Sequence, residues 1–193
     1  MNTLMTYAAA TVILIIINAA VFLVETAAGG SRNIDTALRF GAMSADKVEE
    51  GQYYRLFTAM FVHFGFIHLL CNMYALYSVG PVVEAVFGTV GFLIIYLFSG
   101  LCGNLLTYQL SRRKNRYTVE AGASGAVFGL FGALLVMGLM PQFSGYISIR
   151  SVLFVLLINL AYGIGNKSIS MSAHIGGFLG GLVSTFILGL LFL

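Results

Sequence analysis

One serine and one histidine in this sequence are placed so that they could act as a nucleophile and its base. Ser124 lies in the segment Gly-Ala-Ser-Gly (122–125), where a charged loop ends and an apolar run begins. Backbone N–H groups at a helix start have no internal partners and favour a nearby oxyanion, and glycines let a substrate backbone approach closely. Serine is also a common helix N-cap, so this motif alone leaves both interpretations open.

His174 is the base that a nucleophilic Ser124 would need, and it begins the last apolar run. Stripes of small residues at helical spacing follow both residues: Gly177, Gly181 and Ser184 after His174, and Gly125, Gly129 and Gly132 after Ser124. Such stripes let membrane helices pack with their backbones nearly in contact, which would bring the serine and the histidine together. No aspartate lies in an apolar run, so a hydrolase would use a Ser–His dyad instead of a triad.

His68 and Asn72 could supply hydrogen-bond donors to a developing oxyanion. They are four residues apart and share one helix face, and donors aimed at one point are what an oxyanion requires. His68 could equally pair with a loop carbonyl. His63 lies on a different face, and the three histidines have neither a carboxylate or cysteine partner nor an HExxH-like spacing, so no metal site is predicted.

The elements that must position these residues are membrane helices. The chain has 193 residues, of which 59% are hydrophobic and only 9% charged, whereas a soluble domain carries roughly 25% charged residues. Its mean hydropathy is +0.94. This composition excludes a soluble enzyme, a secreted disulfide scaffold and a disordered tail, and the net charge of +3 is too small to suggest a nucleic-acid partner.

Five apolar runs are long enough to cross a bilayer, which takes about 20 helical residues. The run 151–166 is shorter, but the uncharged residues 146–149 precede Arg150, whose long side chain can reach the interface, so we count six spans. The predicted spans are approximately 6–27, 57–80, 87–110, 123–140, 147–165 and 171–192. We therefore predict an all-α integral membrane fold with a single transmembrane domain over residues 1–193. Lone amides within the spans are predicted to hydrogen-bond between helices; they are Asn18, Asn104 and Asn159.

Together these motifs resemble the rhomboid family of intramembrane serine proteases, in its minimal six-helix bacterial form, over about residues 51–181. The matching residues are His63, His68, Asn72, Glu84, Gly88, Gly122, Ala123, Ser124, Gly125, Ala173, His174, Gly177 and Gly181. The resemblance implies that Ser124 is the nucleophile and His174 the general base and acid. It also implies an oxyanion hole formed by His68, Asn72 and the backbone N–H of Ser124.

The resemblance further implies structural support from residues around the dyad: Gly122, Gly125, Phe128, Gly177, Gly181, Glu84, Arg55 and His63. Two positions depart from the family pattern. The Trp-Arg pair of the first loop is here Tyr54-Arg55, which keeps an aromatic–cation pair, so we expect the loop structure to survive. A frequent tyrosine after the nucleophile is here Phe128, whose ring can still stack on His174.

The resemblance also gives expectations about biology. The first loop would dip into the membrane, and single-span membrane proteins would enter between the second and fifth helices and be cut without a cofactor. The protein would lie in the cell membrane, plasma or inner, with both termini in the cytoplasm. Nine of the ten Lys/Arg lie in the first, third and fifth loops, so the positive-inside rule favours the opposite orientation. Exposed apolar surface is expected of every membrane helix and does not indicate an oligomeric state.

Two other functions fit part of the sequence. A catalytically idle rhomboid-like protein would bind membrane clients, but such proteins typically lose the serine or the histidine, and this chain keeps both. A small transporter or channel subunit would explain buried polar groups, but not a nucleophile, a base and donors together. The sequence therefore favours the protease.

Overall fold

A computed structural model of the chain describes residues 8–114, 118–143, 145, 147–165 and 169–192. Within these residues the fold is all-α apart from one two-stranded ribbon, as the composition predicts. The helices are α1 Ala9–Ala27, α2 Ile34–Arg39, α3 Ala45–Glu49, α4 Arg55–Thr58, the 3-10 helix Ala59–Phe61, α5 Phe66–Arg113, α6 Ser124–Leu139, α7 Ile149–Gly165 and α8 Met171–Phe192. The strands are β1 Met43–Ser44 and β2 Val119–Glu120.

Long apolar helices dominate the part of the chain that the structure describes. Helices α1, α5 and α8 are long and apolar enough to cross a membrane, while α6 and the apolar part of α7, Ile149–Asn159, are shorter. Many of their large apolar side chains face outward, for example Tyr74, Leu190 and Phe192. Outward-facing apolar surface of this extent suits a lipid environment.

Helix α5 contains a break that divides it in two. A straight helix of its 48 residues would be about 72 Å long, more than twice the roughly 30 Å hydrocarbon core. At Gly88 the backbone leaves helical geometry with φ 67° and ψ 172°, which glycine tolerates because it has no Cβ. The break lies at the start of the predicted span 87–110 and separates it from the predicted span 57–80. The six-span count itself stays a prediction.

The first part of α5 begins later than the apolar run predicts. The predicted second span starts at residue 57, but the helix starts at Phe66. Before it lie α4, the 3-10 helix and an extended Val62, and Gly65 has φ 85°. Hydropathy could not reveal this, because the intervening residues are apolar whether they are helical or not. The non-helical backbone of this segment is bonded to other parts of the fold: the Ala59 carbonyl accepts the Gly122 N–H, and the Glu25 carboxylate accepts the His63 N–H.

The core of the bundle lies where α5, α6 and α8 pack together. Its largest fully buried side chains include Phe92 and Tyr96 of α5 and Leu130 of α6. Helix α1 packs against the first part of α5, where a Cβ added to Gly80 would lie 2.8 Å from Thr11. The close approach of these helices therefore depends on small residues at the contacts.

The first loop is folded and joined to the loop before α6. Strands β1 and β2 pair antiparallel, with Met43 opposite Glu120. The Arg55 guanidinium donates to the carbonyls of Leu38 and Ala42 at 2.7 and 2.8 Å and lies 5.3 Å from the Tyr54 ring centre. The aromatic–cation contact expected from the sequence is therefore present, and both loops lie at the same end of the bundle. The dipping of the first loop into a membrane stays a prediction.

The lone amides follow the interhelical prediction unevenly. Asn104 donates to the carbonyl of Leu56 at 2.8 Å, across elements. Asn18 donates to the carbonyl of Leu14 in its own helix, and its side chain also interacts with Tyr96 of α5. Asn159 donates to a carbonyl four residues earlier in its own helix, so the prediction was wrong for Asn159. An amide in a helix can satisfy itself locally, and sequence alone does not tell which partner it takes.

Candidate active site

Ser124 is the first residue of α6, and its hydroxyl is not used as a cap. The N-cap is Ala123, and no side chain caps this helix. None of the hydrogen bonds among the described residues uses the Ser124 hydroxyl, so the N-cap interpretation of this serine is wrong. With no partner among the described residues, the hydroxyl lies at a helix start, where unpaired N–H groups create a positive potential.

Helices α6 and α8 touch along a seam of glycines, which we call the glycine seam: Gly125, Gly129, Gly177 and Gly181. A Cβ added to Gly177 would lie 1.9 Å from the carbonyl oxygen of Gly125, and one added to Gly181 would lie 2.0 Å from that of Gly129. No side chain larger than hydrogen fits there. The small-residue stripes predicted from the sequence therefore do pack backbone to backbone.

The glycine seam aligns the start of α6 with the start of α8. A Cβ on Gly125, the residue after Ser124, would lie 3.2 Å from the carbonyl oxygen of Ala173, the residue before His174. The Phe128 ring, one turn after Ser124, stacks on the His174 ring with 3.9 Å between centres and 12° between planes. Because residues four apart share a helix face, the imidazole covers the face of α6 that begins at Ser124.

The His174 ring is buried and is held by stacking. Its side chain is 6% exposed, and its Nδ1 atom has no hydrogen-bond partner among the described residues. Phe128 is itself buried, so the ring stack fixes the plane of the imidazole. A neutral imidazole has one nitrogen that accepts a proton and one that carries N–H and can donate a hydrogen bond.

His68 and Asn72 meet at Gly122, two residues before Ser124. A Cβ added to Gly122 would lie 2.7 Å from His68 Nε2 and 3.5 Å from Asn72 Nδ2. Gly122 also has φ 123°, a conformation that only glycine adopts readily. The Asn72 amide nitrogen is buried and has no partner among the described residues. Two side-chain donors therefore converge beside the Ser124 loop, and at least one is uncommitted.

His63 holds the backbone immediately before Ser124. Its Nε2 accepts the N–H of Ala123 at 3.4 Å, and its Nδ1 lies 3.3 Å from the carbonyl oxygen of Phe61. These two contacts assign the tautomer with hydrogen on Nδ1. The ring is fully buried and meets His68 edge to face at 5.2 Å between centres. Thus His63 supports the loop and also contacts one of the two donors.

Glu84 and Arg55, which the family resemblance also implicates, do not join this cluster. The Glu84 carboxylate accepts four hydrogen bonds of 2.8 to 3.1 Å, three from Ala10 and Thr11 at the start of α1 and one from Thr89. It caps α1 from a neighbouring helix, since the first N–H groups of a helix lack internal acceptors. Arg55 holds the first loop, as described above. Both residues act on the scaffold.

Glu25 is a residue that the sequence analysis missed. It lies near the end of α1, is 0% exposed, and accepts the backbone N–H of His63 at 3.3 Å through Oε2. Its other oxygen, Oε1, has no partner among the described residues. A signal was available: this is the one acidic residue within the predicted span 6–27, and carboxylates inside spans are costly.

A polar cleft of about 390 Å³ opens beside the start of α8. Its lining includes Glu120 and the hydroxyls of Thr107, Ser170 and Ser172, and the Thr107 hydroxyl lies 2.9 Å from that of Ser172. Burial raises the pKa of the Glu120 carboxyl above its usual range, partly offset by a 2.9 Å hydrogen bond from the Thr118 hydroxyl. The cleft is lined by Glu120, in the loop before Ser124, and by Ile175, next to His174.

No cluster of three or more His, Cys, Asp or Glu side chains that could hold a metal ion occurs in the described parts of the chain. The three histidines lie at one end of the bundle, where His63 Nε2 accepts the Ala123 N–H and His68 Nε2 lies beside Gly122. The arrangement therefore suits a nucleophile, a base and oxyanion donors.

The fold and the site define a helical membrane protein with a buried serine–histidine cluster at one end. A family model described as the Rhomboid domain matches residues 50–190. The chain is 38% identical over 163 residues to rhomboid protease GluP of Bacillus subtilis, which covers 84% of this chain and 31% of that protein. It is 35% identical over 160 residues to RHOMBOID-like protein 5 of Arabidopsis thaliana, which covers 81% of this chain and 50% of that protein.

The chain belongs to the rhomboid family, and with its apolar helices it is embedded in a membrane. It spans half or less of the length of these two relatives.

Proposed function

We propose that this protein is an intramembrane serine endopeptidase that cleaves the transmembrane segments of single-span membrane proteins with a Ser124–His174 dyad. The observation that supports this most directly is the Phe128–His174 ring stack at 3.9 Å. It holds the imidazole over the helix face that begins at an uncommitted serine hydroxyl. A binding or scaffold role requires neither the stack nor the free hydroxyl.

In the first half of the reaction, the Ser124 oxygen attacks the scissile carbonyl carbon while its proton passes to His174. The C–N bond then breaks, and the same proton leaves with the amine product. This gives an acyl-enzyme ester on Ser124. In the second half, water gives a proton to His174 and attacks the ester carbon; the ester bond breaks, and Ser124 regains its proton as the carboxylate product leaves.

The negative charge on the carbonyl oxygen develops next to the segment 122–124. We propose that His68, Asn72 and the backbone N–H of Ser124 donate hydrogen bonds to it. The convergence of the first two at Gly122 and the unpartnered Asn72 amide support this assignment. Donors fixed in advance contribute most, because they need no reorganisation as charge develops.

The setting of the reaction follows from the family resemblance. We propose six membrane-spanning helices, a first loop that dips into the membrane, and a cell-membrane location with both termini in the cytoplasm. Substrates would enter sideways between the second and fifth spans, and no cofactor takes part. The polar cleft beside α8 would admit the hydrolytic water, because hydroxyls and a carboxyl line it.

The experiment that tests this function is labelling of the protein in mild detergent with a fluorophosphonate, followed by location of the adduct by peptide mass. Its reagent forms a bond from the serine oxygen to phosphorus as fluoride leaves. We expect an adduct on Ser124 that is absent from Ser124→Ala and from His174→Ala. Cleavage of a model single-span substrate in proteoliposomes should be lost in the same two variants.

Matched controls are Ser78→Ala and Ser151→Ala, two hydroxyls outside the site, which should label and cleave as the wild type does. Cleavage that persists in Ser124→Ala would overturn the proposed nucleophile. A folded wild-type protein that neither labels nor cleaves would instead favour a rhomboid-like protein that only binds membrane clients.

A further inference from the structure

Glu25 is a buried carboxylate that the proposed reaction does not use. Its side chain is 0% exposed, and the N–H of His63 is the one hydrogen-bond donor to its carboxylate among the described residues. Neither salt bridge among the described residues involves it. A buried carboxyl oxygen without a partner destabilises a fold. Glu25 therefore does not serve stability through Oε1, and any role it has must come from the hydrogen bond that Oε2 accepts from His63.

That contact fixes the backbone of His63 at the point where the chain is extended. Val62 has φ −89° and ψ 141°, so the segment before α5 has no helical hydrogen bonds of its own. The acceptor for the His63 N–H comes from a residue 38 positions away in the sequence. Without it this buried N–H would be unsatisfied, and the segment would shift towards another acceptor.

The ring of His63 carries the effect to the nucleophile. Its Nε2 accepts the N–H of Ala123 at 3.4 Å, and Ala123 directly precedes Ser124. The Ala59 carbonyl accepts the N–H of Gly122 at 2.8 Å, so the loop is tied twice to the segment 59–63. A displacement of the His63 backbone therefore moves the His63 ring and with it the hydrogen bond to Ala123, one of the two that hold the loop.

We propose that Glu25 is a positioning residue for the dyad: its carboxylate fixes the backbone of His63, whose ring fixes the backbone of Ala123 and hence the placement of Ser124 relative to His174. The inference rests on the proposed function. It concerns geometry at the nucleophile and not substrate binding, because Glu25 is buried behind His63. Loss of the contact should lower kcat and leave KM unchanged.

The test compares Glu25→Leu, which removes the acceptor, with Glu25→Gln, which keeps an oxygen that can accept the His63 N–H. Active sites are titrated with a fluorophosphonate, so that kcat is expressed per competent molecule and the labelling rate of Ser124 is measured at the same time. We expect Glu25→Leu to lower kcat and the labelling rate about tenfold at unchanged KM. Glu25→Gln should stay within about threefold of the wild type, a rescue that the loss of buried volume alone would not give.

The matched control is Thr26→Val, which removes the hydroxyl hydrogen bond to Phe22 in the same turn of α1 but touches no part of the site. It should match the wild type in kcat and labelling rate. An unchanged rate per titrated site in Glu25→Leu would overturn the inference, and so would equal losses in the Leu and Gln variants. If wild-type protein itself shows no Ser124 adduct, the proposed function fails, which is a different result.

If Glu25→Leu does not fold, His63→Ala tests the same path, because it removes the ring and keeps the backbone N–H that Glu25 binds. We expect about a tenfold fall in kcat and labelling rate, at unchanged KM and with a melting temperature near that of Thr26→Val. A rate per site equal to that of the wild type would overturn the inference.

Discussion

Two buried carboxylates lie at opposite ends of α1 and are bonded very differently: Glu84 of α5 is at its start, and Glu25 of α1 itself is near its end. Glu84 accepts four hydrogen bonds at its start. Glu25 accepts one near its end and keeps an unpartnered oxygen. The first arrangement is that of a scaffold contact, in which every available donor is used. The second lies at the active-site end, where the fold leaves polar atoms uncommitted.

The same contrast applies to the residues around Ser124. The Asn72 amide nitrogen and His174 Nδ1 are also buried without partners among the described residues. Each such group costs about 1–3 kcal/mol of stability, and that cost has to be offset elsewhere in the fold. Buried polar atoms without a hydrogen bond also occur elsewhere in the described residues, at Asn18, Tyr96 and Thr185, so the contrast holds for the two carboxylates and not for the two ends of the bundle as wholes. Substitutions at Glu84 should act mainly on stability, and substitutions beside Ser124 mainly on reactivity.

The largest effect should follow from loss of the scaffold contact. We expect Glu84→Leu to lower the free energy of unfolding by about 3–5 kcal/mol, because the N–H groups of Ala10 and Thr11 lose their acceptor. Thermal unfolding in detergent measures this directly. Glu84→Gln, which keeps one acceptor oxygen, should lose less. A Glu84→Leu protein as stable as the wild type would remove the distinction between the two carboxylates.

A smaller effect, of opposite character, is expected at the active-site end. Asn72→Ala should lower kcat about 100-fold, or roughly 2.7 kcal/mol, by removing an oxyanion donor. Its melting temperature should not fall, since the amide nitrogen has no partner to lose. The measurement is substrate cleavage per titrated site. Asn159→Ala, at an exposed amide bonded within its own helix, is the matched control and should keep wild-type kcat.

Near-wild-type cleavage by Asn72→Ala would show that the Asn72 amide does not donate a hydrogen bond to the oxyanion in the transition state. A clear fall in its melting temperature would show that Asn72 belongs to the scaffold instead.

The smallest effect is expected at Ser44 and Asp46 in the first loop. A hydrogen bond from the Ser44 hydroxyl lowers the pKa of the Asp46 carboxyl below its usual range. A lowered pKa stabilises the fold above the unfolded pKa of about 4, and this contribution is lost as pH falls through the folded value. Solvent screening keeps it below about 1 kcal/mol.

Melting temperatures of wild type and Ser44→Ala should therefore differ slightly at pH 6 and converge as the pH is lowered below about 4. Lys47→Ala, which removes an exposed ion pair with Glu50, serves as a control for general charge effects. A difference that grows on acidification would contradict the assigned hydrogen bond.

The parts of the site that the sequence predicts are those set by local helical periodicity. The spacing of Gly177 and Gly181 after His174 predicts the face that α8 presents to α6, and the structure has that packing. The ring stack of Phe128 on His174 was expected from the family resemblance, and the structure has it. The glycine contacts need only a regular helix and small residues, both of which are legible in a linear sequence.

The parts that were missed depend on irregular backbone. The late start of α5 at Phe66 comes from the extended Val62 and the positive φ of Gly65, which an apolar run conceals. The Glu25–His63 contact joins residues 38 positions apart and exists only because of that irregular segment. The partner of Asn159 was missed for a related reason, since its own helix offered a carbonyl four residues earlier.

The glycine seam has a consequence for temperature. Its contacts run from backbone to backbone, so no side-chain torsion can change state there as the protein is warmed. The distance between the starts of α6 and α8 is set by covalent geometry and van der Waals radii alone. A more fluid bilayer at higher temperature would then change the rate at which substrates enter the site. The alignment of Ser124 and His174 would not change with temperature.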